Sequence, residues 1–162
     1  MAVTKTSRTA AVAAGVVAVA AAAVLLLWGV DRNASVAHRL RPDDAALVAL
    51  GQRIYGEQCA ACHGLRLEGQ ANWRERGPDG RLPAPPHDAS GHTWHHPDDL
   101  LFQITKYGVA KVAKLQDYAT AMPVYEGVLS DDEIVAVLSW IKSQWPADIR
   151  SRHDQLNRSA AR

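Results

Sequence analysis

The sequence predicts an all-α protein, with one helical domain set behind a single N-terminal apolar helix. Three observations carry this. An uncharged, overwhelmingly apolar run fills residues 9–30. Three later stretches join a helix-start signal to apolar residues at helical spacing. No convincing βαβ pattern accompanies them. The chain has 162 residues, enough for one globular domain beyond the apolar run. Its charges nearly balance, with 18 Lys and Arg against 17 Asp and Glu, so no strong nucleic-acid signature is present. There is no internal repeat, no GxxxxGK phosphate loop and no G-x-S-x-G elbow.

The first element is TAAVAAGVVAVAAAAVLLLWGV, 22 residues from 9 to 30. As a helix it is about 33 Å long, enough to cross a hydrocarbon core. A secretion signal has an apolar region of about 7–15 residues, so length favours an uncleaved transmembrane anchor. The rival is an N-terminal signal cut near Ala34-Ser35-Val36-Ala37, where small residues follow the run. Lys5 and Arg8 precede the run, while Arg32, Arg39 and Arg41 follow it, so the positive-inside rule does not orient it. Gly15 and the many alanines allow close approach of a partner helix, and suit a lipid-facing anchor equally.

After a linker at 31–41, a helix is expected from about Pro42 to Gln58. Pro42, Asp43 and Asp44 suit its start, and Leu47, Leu50, Ile54 and Tyr55 recur at helical spacing. A second begins at Pro97-Asp98-Asp99, carries Leu100, Leu101, Ile104 and Tyr107, and stops at Gly108. The third opens on the capping box Ser130-Asp131-Asp132-Glu133. It carries Ile134, Val137, Leu138, Ile141 and Trp145 on one face and ends at Pro146. Residues 147–162 read as a polar tail with Arg150, Arg152, Arg158 and Arg162, expected to be disordered and suited to docking a partner or headgroups.

The first of these helices leads into Cys59-Ala60-Ala61-Cys62-His63, which uses both cysteines of the chain. C-x-x-C-H reads as covalent attachment of a c-type haem. Two thiols one helical turn apart meet the two porphyrin vinyl groups, and the next residue brings an imidazole to the iron. Zinc would need four ligands and has no second Cys pair, although His87, His92, His95 and His96 offer nitrogens. The chain has a single Phe, Phe102; a buried porphyrin would add apolar bulk to so small a core.

A helix entering C-x-x-C-H, a variable middle, a Met-Pro segment and a terminal amphipathic helix together resemble the mono-haem class I cytochrome c family, over roughly residues 43–145. The resemblance implies a cytochrome c fold around one haem c, held covalently by Cys59 and Cys62 within residues 42–146. It also implies that the first and last helices cross, with Gly51, Tyr55 and Trp140 as the counterparts of the family's crossing residues. Met1 and Met122 are the only thioethers. Met122 lies where the family places its second axial ligand, so the implied iron ligands are His63 and Met122. Pro123 restricts Met122 to extended backbone, which keeps it out of a helix. The competing ligands are the histidines of His87-Asp88-Ala89-Ser90-Gly91-His92-Thr93-Trp94-His95-His96, which could also hold a secondary copper or zinc ion. Trp94 in this loop suits the haem edge, a propionate, or simple burial.

Family members orient the axial histidine with a proline carbonyl, and Pro85 or Pro86 suits that part. The connection from 66 to 96 is longer than the shorter family pattern. One of Arg66, Arg74, Arg76 and Arg81 could pair a propionate there. With His63 and Met122 both bound, no open position is left for a substrate, so an electron carrier is expected rather than an enzyme. Haem attachment in bacteria implies maturation outside the cytoplasmic membrane. That places residues 1–8 in the cytoplasm, 9–30 across the inner membrane as a single pass, and the haem domain in the periplasm. The expected partners are redox proteins of that membrane or the periplasm, and not nucleic acid. Two other readings stay open: a haem-bearing subunit or sensor of an oxidase or reductase complex, and a peroxidase-like protein if the sixth position is open.

Overall fold

The computed structural model describes residues 38–162. The apolar run 9–30 and the alternative cleavage site at 34–37 lie outside the described residues. Among the described residues no helix is long and apolar enough to cross a membrane, and no strand occurs. The order is α1 (Ala45–Gln58), α2 (Ala60–His63), a 3-10 turn (Thr93–His95), α3 (Asp98–Tyr107), α4 (Val109–Val112), α5 (Asp131–Ser143) and α6 (Ala147–Ala160).

The helix starts follow local chemistry. Helix α1 begins at Ala45, three residues later than Pro42, because Asp44 takes extended backbone and its carboxylate accepts the Leu47 N–H at 3.1 Å. Helix α3 starts after Pro97 and stops at Gly108, which has φ of +85°. Helix α5 has the full capping box: the Ser130 hydroxyl accepts the Glu133 N–H, and the Glu133 carboxylate accepts the Ser130 N–H.

The core is the crossing of α1 on α5. Gly51 is buried there, and a Cβ on it would overlap the Ala136 carbonyl and press on Trp140. Only glycine allows the two backbones to come this close. One turn on, the Tyr55 and Trp140 rings meet with centroids 4.5 Å apart. Gly51, Tyr55 and Trp140 thus hold the crossing that the resemblance implied.

Helix α5 is buried from Ile134 through Lys142 without a break. A helix buried all round needs cover on every side. Part of that cover comes from the chain on either side of the expected domain. Leu40, in the stretch read as linker, is buried and donates its N–H to Asp98 at 3.0 Å. The Arg41 N–H donates to the Ser139 hydroxyl at 2.9 Å.

The C-terminal segment is a correction to the expected disorder. Pro146 ends one element and caps the next, with φ −52° and ψ 152°, and α6 runs to Ala160 with Ile149 and His153 buried. Its inner face is polar but satisfied. His153 Nε2 donates to the His96 carbonyl at 2.9 Å, and the Asn157 amide donates to Asp98 at 3.0 Å. In return the Asp98 N–H donates to the Asn157 side-chain oxygen at 2.7 Å. The buried Lys142 ammonium reaches Asp154 at 2.6 Å and Asp98 at 4.0 Å, so its charge is compensated. Burial, then the Lys142 charge, pushes the His153 pKa down, which keeps the ring neutral.

Candidate haem-binding site

The Cys59–His63 motif sits where α1 passes into the short helix α2. The Cys59 carbonyl accepts the N–H groups of Cys62 and His63 at 3.1 and 2.9 Å, which brings the three residues onto one turn. Both cysteines are free thiols, Cys59 half-buried and Cys62 exposed. Burial pushes the Cys59 thiol up to about 11; the neighbouring Tyr125 hydroxyl works against this shift and Cys62 adds to it. Cys59 therefore stands as a thiol, the form that adds across a vinyl group.

His63 is buried, and its Nδ1 lies 2.8 Å from the Pro85 carbonyl. Of the two prolines offered by the sequence, Pro85 takes the part. This bond fixes the tautomer with the proton on Nδ1, so Nε2 carries the lone pair, and Nε2 makes no hydrogen bond among the described residues. Burial lowers the His63 pKa, with the Pro85 bond acting the other way. A neutral imidazole with a free lone pair beside two thiols on one helical turn is a donor set that fits a covalently attached haem.

The loop that brings Pro85 to His63 depends on Gly69. This residue has φ of +66°, and a Cβ there would lie 2.5 Å from the Pro86 nitrogen. Its N–H donates to the His63 carbonyl at 2.8 Å. Leu67, itself at φ 68° and buried, accepts the His87 N–H at 2.8 Å and the Asp88 N–H at 3.3 Å. The long connection is thus closed on the motif.

Met122 is half-buried, and its N–H donates to the Thr120 hydroxyl at 3.1 Å. Three residues on, Tyr125 anchors the segment. It is buried, its hydroxyl donates to the Gln58 carbonyl at 2.8 Å, and its N–H donates to the Thr105 carbonyl at 3.3 Å. Burial first, then the nearby Cys59, pushes the phenol up to about 12. Tyr125 thereby ties the Met122 segment to the residue that precedes Cys59. The sequence reading did not single it out; an aromatic three residues after a Met was its only signal.

The histidine loop resolves into separate roles. His87 stacks on His63, with centroids 4.0 Å apart and planes 24° apart. Imidazoles on opposite faces of one iron point nitrogens at each other and cannot stack face to face, so this geometry does not suit His87 as the ligand opposite His63. His92 stacks on Trp73, which also carries the Arg74 guanidinium at 4.0 Å, and His95 stacks on Trp94. Trp94 donates to the Ala89 carbonyl at 3.4 Å. Burial first, then neighbouring histidines, lowers the pKa of both His92 and His96. Among the described residues no three His, Cys, Asp or Glu side chains gather as a metal site.

Of the four arginines, Arg76 donates to the Gly80 carbonyl at 2.6 Å and lies 5.3 Å from the Tyr118 ring centroid, joining the long connection to the segment before Met122. Arg81 approaches Asp79 at 3.9 Å.

No curated protein and no solved structure matches this chain. The model of the family described as "Cytochrome C oxidase, cbb3-type, subunit III" matches residues 46–141. That span runs from the first turn of α1 through the haem motif and the Met122 segment and ends within α5, leaving Trp145 and α6 outside it. The chain belongs to this family and is a c-type cytochrome, a haem-based electron-transfer protein.

Proposed function

We propose that the chain is a membrane-anchored, mono-haem cytochrome that carries single electrons between membrane-associated respiratory redox partners. In this reading residues 9–30 cross the bacterial inner membrane and the haem domain lies in the periplasm. The observation that carries it is the His63 geometry: a buried imidazole, its Nδ1 bonded to Pro85 and its Nε2 without a hydrogen bond among the described residues, on the turn that bears Cys59 and Cys62.

Bound haem c supplies a one-electron ferric/ferrous couple. The chain does the rest. Cys59 and Cys62 would hold the group by thioethers, and His63 and Met122 would offer nitrogen and sulfur to the iron. The Pro85 carbonyl raises the basicity of His63 and holds its tautomer. Met/His ligation and exclusion of water would raise the potential and leave no position for a substrate. The apolar run would keep the carrier near integral partners at high local concentration.

The test is the optical spectrum of the purified full-length chain. The expected result is a covalently held haem whose ferric form shows the weak far-red charge-transfer band of iron–sulfur ligation, lost in Met122→Ala. A wild-type spectrum without the band, together with ready binding of carbon monoxide to the ferrous form, overturns the carrier in favour of an open site.

A second reading is favoured by the family's printed description: a fixed haem subunit of a terminal oxidase. Mild detergent extraction separates the two. A fixed subunit leaves the membrane in stoichiometric complex with the oxidase, and a carrier leaves alone.

A further inference from the structure

We infer that His87 is a positioning residue for the axial imidazole: its ring is a wall that sets the rotation of His63 and keeps water from its flank. This rests on His63 being the axial ligand.

One hydrogen bond does not fix an imidazole. The Nδ1 to Pro85 contact at 2.8 Å defines a line, and the ring can still rock about it. A second ring laid on its face removes that freedom. His87 is laid there, 4.0 Å away and 24° from parallel. Such a wall works only if it is held more firmly than what it supports. His87 is held at three points: its N–H donates to the Leu67 carbonyl at 2.8 Å, its carbonyl accepts the Trp145 indole N–H at 2.7 Å, and its Nδ1 shares a hydrogen bond with the Thr93 hydroxyl at 2.8 Å. The edge of its ring also meets Tyr55, centroids 6.4 Å apart.

The Trp145 bond gives the arrangement a particular origin. Trp145 is buried, lies beyond the 46–141 match, and meets His153 of α6 edge to face at 5.0 Å. The C-terminal extension therefore reaches the axial ligand through two contacts, Trp145 on His87 and His87 on His63. Orientation of the axial ring and access of water to it both act on the iron's redox balance.

The experiment compares holoprotein carrying His87→Ala, His87→Phe and Trp145→Phe with the wild type, by redox titration and by ferric electron paramagnetic resonance. His87→Ala is expected to lower the potential by a roughly tenfold shift of the ferric/ferrous equilibrium, about 59 mV for one electron, and to broaden the ferric signal as His63 samples several orientations. His87→Phe keeps a ring face and should stay close to the wild type. Trp145→Phe keeps the ring but loses the donor, and should move in the direction of His87→Ala by a smaller amount; it also serves if His87→Ala does not mature. Wild-type potential and ferric signal in both His87→Ala and Trp145→Phe, with only the thermal midpoint lowered, would overturn the inference. So would His87→Phe shifting as far as His87→Ala. If His63 is not the axial ligand at all, the wild-type protein reveals it first, by lacking a covalent, histidine-ligated haem spectrum.

Discussion

The connection over residues 64–91 and the segment over residues 113–124 are both irregular, yet they are fastened to different degrees. The first is bonded back to the motif by the Gly69 N–H on the His63 carbonyl and by Pro85 on the His63 ring, and is closed on itself by the Leu67 carbonyl taking the His87 and Asp88 N–H groups. The second is mostly exposed, with Leu115 at 45% and Val124 at 49%. Among the described residues its firmest tie comes just beyond its end, at Tyr125, with Arg76 on the Tyr118 ring as a looser one. Local stability follows the density of such contacts. The His63 side is therefore the more firmly fastened, and the Met122 side is expected to open more readily.

The strongest way to break this contrast is to loosen the rigid side. Gly69→Val puts a branched side chain at φ +66° against the backbone of Pro85 and Pro86. The expected cost is more than ~4 kcal/mol, in the exceptional range for one substitution, and is checked by denaturant unfolding together with the yield of holoprotein. A mild loss would mean that the Pro85 loop tolerates displacement.

On the looser side, Tyr125→Phe removes one hydroxyl from a packed ring and leaves the Gln58 carbonyl unpaired. About 1–2 kcal/mol should be lost. Amide hydrogen exchange should show the loss at residues 113–124 and leave 64–91 unchanged; equal loosening of both would erase the distinction.

Acid sharpens the comparison from behind the rigid side. His153 has its pKa lowered on folding, so its contribution is fully present above the unfolded value of about 6.5 and is lost as pH falls below that value. Protonation would put a second N–H on the ring, where Nδ1 now faces the Asn157 amide at 3.4 Å. The groups around it are Lys142, Asp98 and Asp154, with the His96 carbonyl and the Trp145 ring. Protection factors of the α6 amides, taken against the intrinsic exchange rate at each pH, should therefore fall below about pH 6.5, and His153→Gln should flatten that dependence.

The smallest effect is expected where an ion pair is exposed. Lys111 lies 3.9 Å from Glu126, both side chains more than half exposed. Lys111→Ala should change thermal stability by no more than ~0.5 kcal/mol, leaving both segments as they were.

Much of this was legible in the sequence because it is written in local signals. The helix starts at Asp44, Pro97 and Ser130 are capping chemistry, the motif at 59–63 is a spacing, and a proline carbonyl for His63 was narrowed to two candidates. What was not legible depends on where loops travel. Nothing local announces that His87 folds back onto His63, because that requires the turn at Leu67 and a donor from Trp145. Helix α6 was missed for a different reason. Its buried face carries His153 and Asn157 where an amphipathic helix would carry Leu or Val, so its composition reads as solvated while its polar atoms are satisfied by Asp98 and His96.

The two hydrogen bonds at the end of the Met122 segment, Tyr125 to Thr105 and Glu126 to Lys106, close its neck against the end of α3. A side chain on a closed loop stays a neighbour of its target even when contact is broken, because the entropy of bringing it back has largely been lost already. On the proposed His63/Met122 ligation, a Met122 sulfur that left the iron would return as an intramolecular ligand, at an effective concentration on the order of millimolar. Small ligands present well below that level would lose the competition for the vacated position, so on the proposed reading the closed neck would protect a carrier from becoming a binding protein.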